Sequence, residues 1–362
     1  MLKIKIMSET IYLYNDKPVF GMDIGFSSIK VMQLSTNHNQ FHVKGYGVAN
    51  FEESSIVNGV IDNYESIASS MHNMFSSSLT GTIDTKRVIM SIPASYTFSR
   101  IINLPSNIAE KDIPDAVNTE IQQYLPSSSS DLYLDYSILG TQKDQNRVLT
   151  VATQRKLVDS YMNLARILGL EVVAMEPTTS ASNRLFGFTD QHKVPTVLID
   201  FGAISTDVTI YDNDLVVTGT TTGGGDHYTD AIRNALDVTN QEAQTIKSRY
   251  GLNFSKKQAE IIDALKPLTD EITREIKRMV RYYEERINNG NKTIGQVVLL
   301  GGGANIPGLS DYFTNTLRLP VRTYDPWNTI TFESINLPKP GEENIYITSA
   351  GLALMDPKEP FA

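Results

Sequence analysis

Cysteine is absent from the 362 residues. That excludes a disulfide scaffold, cysteine-ligated zinc, iron–sulfur clusters and a thiol nucleophile. No run of about 18 apolar residues occurs, so no segment reads as a bilayer span. The opening MLKIKIMSET has lysines but no apolar stretch behind them and does not read as a secretory signal. Excess positive charge is also missing. Lys and Arg number 32 against 41 Asp and Glu, a net charge of −9, whereas a general nucleic-acid binder is expected to be basic. No GKS or GKT closes a Walker loop, and no G-x-G-x-x-G follows a strand. The five histidines, His38, His42, His72, His192 and His227, show neither metal nor triad spacing. What is present is a composition of 41% hydrophobic and 20% charged residues, which suits a globular chain with a real core. The length exceeds the roughly 150 residues typical of one domain, so two or more lobes are expected, with the cytoplasm as default location.

Strand and helix signals alternate along the chain, which predicts an α/β protein. TIYLY and VFGMDIG, separated by NDKP, read as extended segments. Gly21–Ile24 and Ile29–Leu34 read as paired strands around GFSS. Residues 60–76 carry Ile61, Tyr64, Ile67, Ala68, Met71 and Phe75 near helical spacing. Arg87–Pro93 reads as a buried strand. The block 96–170 has a different texture, β-α-β-β-α. Its first strand is Ser99–Leu104. A helix capped by Ser106 or Asn107 carries Ile113, Val117 and Ile121, and a serine loop lies at 127–130. Strands Leu132–Leu139 and Arg147–Thr153 follow, then a helix, Lys156–Leu168, stopped by Gly169. Beyond it come a strand at Glu171–Met175, a proline-started helix EPTTSASNRLFG and a strand at Val197–Ile199. Helices are expected over 227–250 and 256–289, and the second carries Leu268, Ile272, Ile276, Met279, Tyr283 and Ile287 as a core-facing stripe. VVLLGGG and a final AGLAL segment close the chain.

The most informative feature is an internal repeat. GMDIGFSSIKVMQL at 21–34 resembles LIDFGAISTDVTIY at 198–211. Asp23 aligns with Asp200, Gly25 with Gly202, Ser28 with Ser205 and Val31 with Val208. Each copy is an apolar strand, an aspartate, a tight turn and a second strand. A single D-x-G at a strand end is ordinary turn chemistry. The matched pair, half a chain apart, points to two similar lobes facing a polyphosphate. Glycine lets backbone N–H groups approach phosphate oxygens, and an aspartate at each strand end can hold a hydrated Mg²⁺. Two glycine clusters extend the pattern. Gly223, Gly224, Gly225 and Asp226 precede a helix, a setting suited to an anion or a ribose. Gly301, Gly302 and Gly303 end a buried strand ahead of Asn305 and permit a flat ring to lie on the backbone.

These segments, MDIGFSSIK, LIDFGAISTD, GGGD and GGGANIPGL in that order, resemble the actin/Hsp70/sugar-kinase superfamily. The insert at 96–170 sits where FtsA and its relatives carry an extra subdomain. Within that group DIGFSSIKVMQL, SIPASYTFSRIINLP, QQYLP with DLYLDYSIL, EPTTSASNRLF, GGGDHYTDAI and QEAQTIKSRYG look like the PilM family of type IV pilus assembly proteins. The resemblance implies an actin-like (ribonuclease H-like), duplicated two-lobe fold. Residues 1–95 plus 171–196 would form subdomain 1A, 96–170 the inserted subdomain 1C, 197–355 the second lobe (2A and 2B) and 356–362 a tail. It implies ATP and Mg²⁺ as ligands. Asp23 and Asp200 would hold Mg²⁺ through water. Gly25, Ser27, Ser28 and Lys30 would line the first phosphate loop, and Gly202, Ser205 and Thr206 the second. Gly224, Gly225 and Asp226 would lie near ribose, Glu242 and Lys247 would border adenosine and ribose, and Gly302, Gly303 and Asn305 would support adenine. Glu242 and Lys247, at i, i+5 spacing, also read as an ordinary solvated surface, which makes theirs the weaker assignments. The family turn DIGSSS here carries Phe26, which removes one hydroxyl from the phosphate loop.

Hydrolysis needs a group that orients water in line with the γ-phosphate. Glu176 is the positional candidate, with a carboxylate stabilised at a helix N-terminus as the alternative. The resemblance also implies a partner, the cytoplasmic N-terminal peptide of a PilN-like inner-membrane protein, beside the insert. Contact with the membrane would then be indirect, through other components of the pilus machine, and self-association is a further expectation. Two other functions share the fold. An FtsA-like division tether would need an amphipathic membrane helix, and AGLALMDPKEPFA does not read as one. A small-molecule kinase would need a catalytic aspartate beside a sugar pocket, and no residue is placed for it.

Overall fold

The structure, a computed structural model, describes residues 16–37, 40–125, 131–142, 144–190, 193–253, 255–287, 290–333 and 335–358. The extended segment at TIYLY, the serine loop at 127–130, His38, His192 and the end of the 356–362 tail lie outside them. The chain divides into two compact units. One holds residues up to 185, 330–336 and 348 onward. The other holds 186–329 and 337–347.

In the first unit the strands are β1 (Phe20–Ile24), β2 (Ser28–Asn37), β3 (Gln40–Asn50), β4 (Ile56–Val57), β5 (Val60–Ile61), β6 (Thr80–Gly81), β7 (Arg87–Ile92), β8 (Thr97–Pro105), β9 (Leu132–Gln142), β10 (Gln145–Gln154) and β11 (Glu171–Pro177). The helices are α1 (Tyr64–Asn73), α2 (Ile113–Gln122), α3 (Arg155–Ile167) and α4 (Thr178–Thr189), the last ending in the second unit. The main sheet runs β3-β2-β1-β7-β11, with β1, β2 and β3 antiparallel and β1, β7 and β11 parallel. β1 and β7 are buried at every position, as expected of parallel strands covered on both faces. α1 and α3 cover one face, burying Ile67, Met71, Leu157, Tyr161 and Leu164 against Phe20, Met22, Val88 and Met90.

The second unit repeats this plan. Its strands β12 (Thr196–Phe201), β13 (Ser205–Tyr211), β14 (Leu215–Thr222), β15 (Gln296–Leu300) and β16 (Val321–Thr323) run β14-β13-β12-β15-β16. The first three are antiparallel and the last two parallel to β12. Strand order and sense match those of the first sheet, so the repeat read in the sequence is a repeat of topology. Its helices are α5 (Gly225–Leu236), α6 (Asn240–Arg249), α7 (Gln258–Tyr282) and α8 (Leu309–Leu317). Of the expected stripe, Ile272, Ile276, Met279 and Tyr283 are buried in one core with Val208, Ile210 and Tyr228, whereas Leu268 and Ile287 pack against it only partly buried; Leu265 joins the buried set.

Several local expectations differ. Ile61 is buried from β5, and the helix begins only at Tyr64, behind Asn63, whose side chain accepts from the Ser66 N–H. Phe75 is exposed. α2 begins at Ile113, not behind Ser106 or Asn107, because Pro114 lacks an N–H and is tolerated only in a first turn. The span 227–250 is two helices. Asp237 at φ 51° ends α5, and Thr239 restarts the chain as the cap of α6. In the block 96–170, β8, β10, β9 and α2 form their own core around Ile102, Leu104, Ile113, Val117, Val148 and Ala152. α3 instead packs on the main sheet of its unit.

The second lobe is not the uninterrupted 197–355 that was expected. β17 (Ile330–Thr331) adds to β3, and α9 (Ile347–Ala353) brings Leu352 against Ile89, Ala174 and Ala181. The reason is close helix packing: a side-chain carbon at Gly351 would run into the Ala181 carbonyl oxygen. Gly351→Ala is therefore expected to cost about 1–3 kcal/mol by overpacking, read as a lower urea midpoint at unchanged slope.

Candidate functional site

The first hairpin turns at Gly25–Ser27. The turn is closed by the Gly25 N–H donating to Ser28 O at 2.9 Å, and Phe51 N–H donates to Ser27 O at 3.0 Å. Asp23 stands opposite Lys30 in the register. Ser91 on β7 fixes the strand end: its hydroxyl donates to Asp23 Oδ1 at 2.7 Å and accepts from Ile24 N–H at 3.0 Å. Lys30 Nζ lies over the turn, 3.1 Å from where a Gly25 side-chain carbon would stand. Asp23, Gly25, Ser27, Ser28 and Lys30 thus share one small surface: a carboxylate, a cation and a glycine turn.

The second hairpin makes the same closing bond, Gly202 N–H to Ser205 O at 3.0 Å, with Asp200 opposite Asp207. Here the glycine clusters converge. Gly225 N–H donates to Gly202 O at 2.9 Å and Asp226 N–H to Ala203 O at 2.8 Å. Two first-turn donors of α5 are therefore spent on the hairpin instead of standing open to an anion. The Thr206 hydroxyl, expected to line the loop, is buried and donates to Gly223 O at 2.7 Å, so it shapes the loop from inside. Gly301, at φ +76°, lies so close that a side-chain carbon would run into the Asp200 carboxylate. Gly302 is exposed beside it, and a carbon on Gly303 would stand 2.6 Å from Phe201 Cβ.

Lys247 is buried and donates from Nζ to Gly225 O and Thr229 Oγ1, both at 2.7 Å. Burial lowers its pKa, and nearby Asp226 opposes that. Glu242, five residues earlier, is not part of this cluster. It is exposed and closes the capping box of α6, accepting from Thr239 N–H at 2.9 Å, and these bonds hold its carboxyl below the ordinary range. The T-x-x-E spacing was legible in the sequence. Asn305 is likewise turned to structure: its amide donates to Gly341 O at 2.6 Å and accepts from Asn344 at 2.8 Å.

Glu176 is not an available base. It is fully buried at the end of β11, and Arg184 on α4 grips both of its oxygens at 2.5 Å while donating to Gly351 O at 2.8 Å. A buried carboxylate needs such a partner, and the eight-residue spacing places Arg184 in the second turn of α4. Ser91, Arg184 and Asp207 were missed in the sequence. Only Asp207 carried a signal, since it occupies the repeat position of Lys30. Burial pushes the Asp207 carboxyl up to about 6, against the hydrogen bond from Thr220 Oγ1 at 2.5 Å.

A sequence model of the family described as Type IV pilus assembly protein PilM matches residues 21–356. The chain belongs to this family. A solved PilM–PilN type IV pilus biogenesis complex contains a chain similar to it, with TM-score 0.80, 21% identity and coverage of 94% of this chain and 98% of that one. MreB5 of Spiroplasma citri bound to AMPPNP matches with TM-score 0.52 and 14% identity, covering 92% and 94% of the two chains. Among curated proteins, the cell division protein FtsA of Streptococcus pneumoniae serotype 2 (strain D39) is 20% identical over 352 residues, 84% of this chain and 75% of FtsA. The fold is the actin-like, duplicated α/β fold. Among the described residues no helix is long and apolar enough to cross a membrane.

Two outcomes follow from the site's electrostatics. Arg184→Met strands a buried carboxylate and is expected to cost about 3–5 kcal/mol, most of it recovered when Glu176→Gln is added; denaturant unfolding of the three proteins measures this. Asp207 has a folded-state pKa above its unfolded value, so its contribution to stability is present at low pH and is lost as pH rises from about 4 through about 6. Asp207→Asn is therefore expected to gain stability relative to the parent across that window, read as Tm against pH.

Proposed function

We propose that this protein is a cytoplasmic, ATP-binding scaffold of the type IV pilus assembly machine that binds the cytoplasmic N-terminal peptide of a PilN-like inner-membrane protein. The observation that carries the nucleotide part is the hairpin made twice. Each copy is a glycine turn closed by the same backbone bond, with an aspartate at its strand end. On this reading Lys30 meets the β/γ-phosphates, and the turns at Gly25–Ser28 and Gly202–Ser205 cradle them. Gly224, Gly225, Asp226 and Lys247 lie on the ribose side, and Gly302 and Gly303 lie under the base. Asp23 and Asp200 hold Mg²⁺ through water. Two carboxylates suit that ion, which keeps several waters, better than a dedicated cage. Among the described residues no group of three or more His, Asp and Glu is arranged to hold a metal directly. With Glu176 tied to Arg184, the reading is one of nucleotide holding, and hydrolysis through Glu176 is not part of it.

The partner part is supported by family membership, by the solved complex of a similar chain with PilN, and by a groove within the first unit. The groove, about 480 Å³, is lined by Asn58, Tyr96, Phe98, Gln154, Lys156 and Leu157 where the insert joins the main sheet. Aromatic and apolar walls beside a strand suit an extended peptide with side-chain anchors. Location at the inner face of the cytoplasmic membrane then follows from the partner.

Calorimetry with Mg-ATP on nucleotide-free protein tests the first part. Binding is expected, and Lys30→Ala should weaken it at least about tenfold, or 1.4 kcal/mol. No heat at millimolar nucleotide would end the ATP reading. The similarity to FtsA supports a second reading, a division-type membrane tether; direct sedimentation with liposomes, without any partner protein, would favour it.

A further inference from the structure

Three features of the first unit meet at one aromatic ring. Phe26 stands at the tip of the first hairpin, in the position where the resembling turns carry a hydroxyl residue. Its ring packs on Tyr96 at 6.1 Å between centroids, tilted by 51°. Tyr96 is a wall of the groove described above. It also sits where the insert begins and ends. Its N–H donates to Pro93 O at 3.0 Å, and its carbonyl accepts from the Thr153 hydroxyl on β10 at 3.1 Å. The Asn58–Gly59 turn between β4 and β5 also lies against the ring. Gly59, at φ +79°, presents a bare backbone there, and a side-chain carbon would stand 2.6 Å from the Tyr96 ring. The Tyr96 ring therefore meets both a glycine turn and Phe26.

The first hairpin turn has little slack, since it is closed at Gly25–Ser28 and anchored at Ser27 by Phe51. A ligand that reorders residues 25–28 has to move the Phe26 ring, and close-packed neighbours transmit such shifts.

We propose that Phe26 is a positioning residue that couples the first phosphate turn to the peptide groove through Tyr96, within the first unit alone. The inference rests on the nucleotide reading above and adds its regulation. Nucleotide on the turn orders the Tyr96 wall, and by linkage a peptide in the groove changes nucleotide affinity by the same factor. Tyr96 moves with both ends of the insert, so the signal reaches the base of the three-stranded sheet formed by β8, β10 and β9.

Hydrogen exchange on the full chain, with and without Mg-AMPPNP, tests this. In the parent protein nucleotide is expected to slow exchange in segments 93–98 and 56–61 roughly threefold or more. In Phe26→Ser, which restores a hydroxyl to the turn, and in Tyr96→Leu, nucleotide-dependent slowing of these segments is expected to vanish while protection of 25–28 persists. A merely structural contact would change baseline exchange in the variants and leave the nucleotide-dependent difference intact. Slowing that survives in both variants, or its absence in nucleotide-bound parent protein, overturns the proposal. Failure of Mg-AMPPNP to bind the parent by calorimetry is a separate result; it overturns the nucleotide reading and this inference with it.

Discussion

Each unit is organised around a reverse turn closed by one backbone hydrogen bond, from Gly25 to Ser28 in the first and from Gly202 to Ser205 in the second. The turn ends a strand that is buried throughout in the first unit and at every position but Asp200 in the second. The aspartate preceding it is thereby carried to the edge of the core on a rigid stem. Everything proposed for the site depends on that placement. A carboxylate on a mobile loop would lose its orientation, whereas Asp23 is held by the Ser91 hydroxyl and Asp200 has the bare Gly301 backbone packed against it. The two copies are not equal. Asp23 faces a lysine across the hairpin and Asp200 faces a second carboxyl group, so one turn carries the cation and the other carries excess acidity.

In the second unit the motifs assemble by backbone contact more than by side chains. Gly223, Gly225 and Asp226 donate their N–H groups to the turn carbonyls of 204, 202 and 203, and Lys247 closes over Gly225. Such an arrangement leaves few side chains free to vary and explains why glycine recurs at these positions. It also redirects several polar residues. Thr206, Asn305 and Glu242 have the chemistry for a ligand, yet each is committed to a carbonyl or a cap that holds the local backbone in shape.

The ion pair of Glu176 with Arg184 bears on function in another way. A carboxylate that orients water must reach the reacting atom. One that is buried and gripped on both oxygens instead joins β11 to α4 and, through Gly351, to α9. The first unit is knitted together at the point where a hydrolytic residue was expected. That suits the proposed reading, in which bound nucleotide sets a shape for a partner, and the contact of Phe26 with Tyr96 is the route proposed for it.

The repeat, the alternation of strands and helices and the glycine clusters were legible in the sequence, because each is a local pattern: a period of two, a period of 3.6, or a turn that demands particular residues. So were the α7 stripe and, in hindsight, the Thr239–Glu242 box and the Asn58–Gly59 turn. Other features became visible only in the folded chain. These are the docking of α5 on the second turn, the return of β17 and α9 to the first unit, the packing of α3 on the main sheet and the partner of Glu176. These depend on which surfaces meet across long sequence separations, and the free energy of such burial belongs to pairs of elements. No single segment carries a mark of the neighbour it will bury against, so its polar groups can be assigned to a ligand or to the scaffold only once that neighbour is in place.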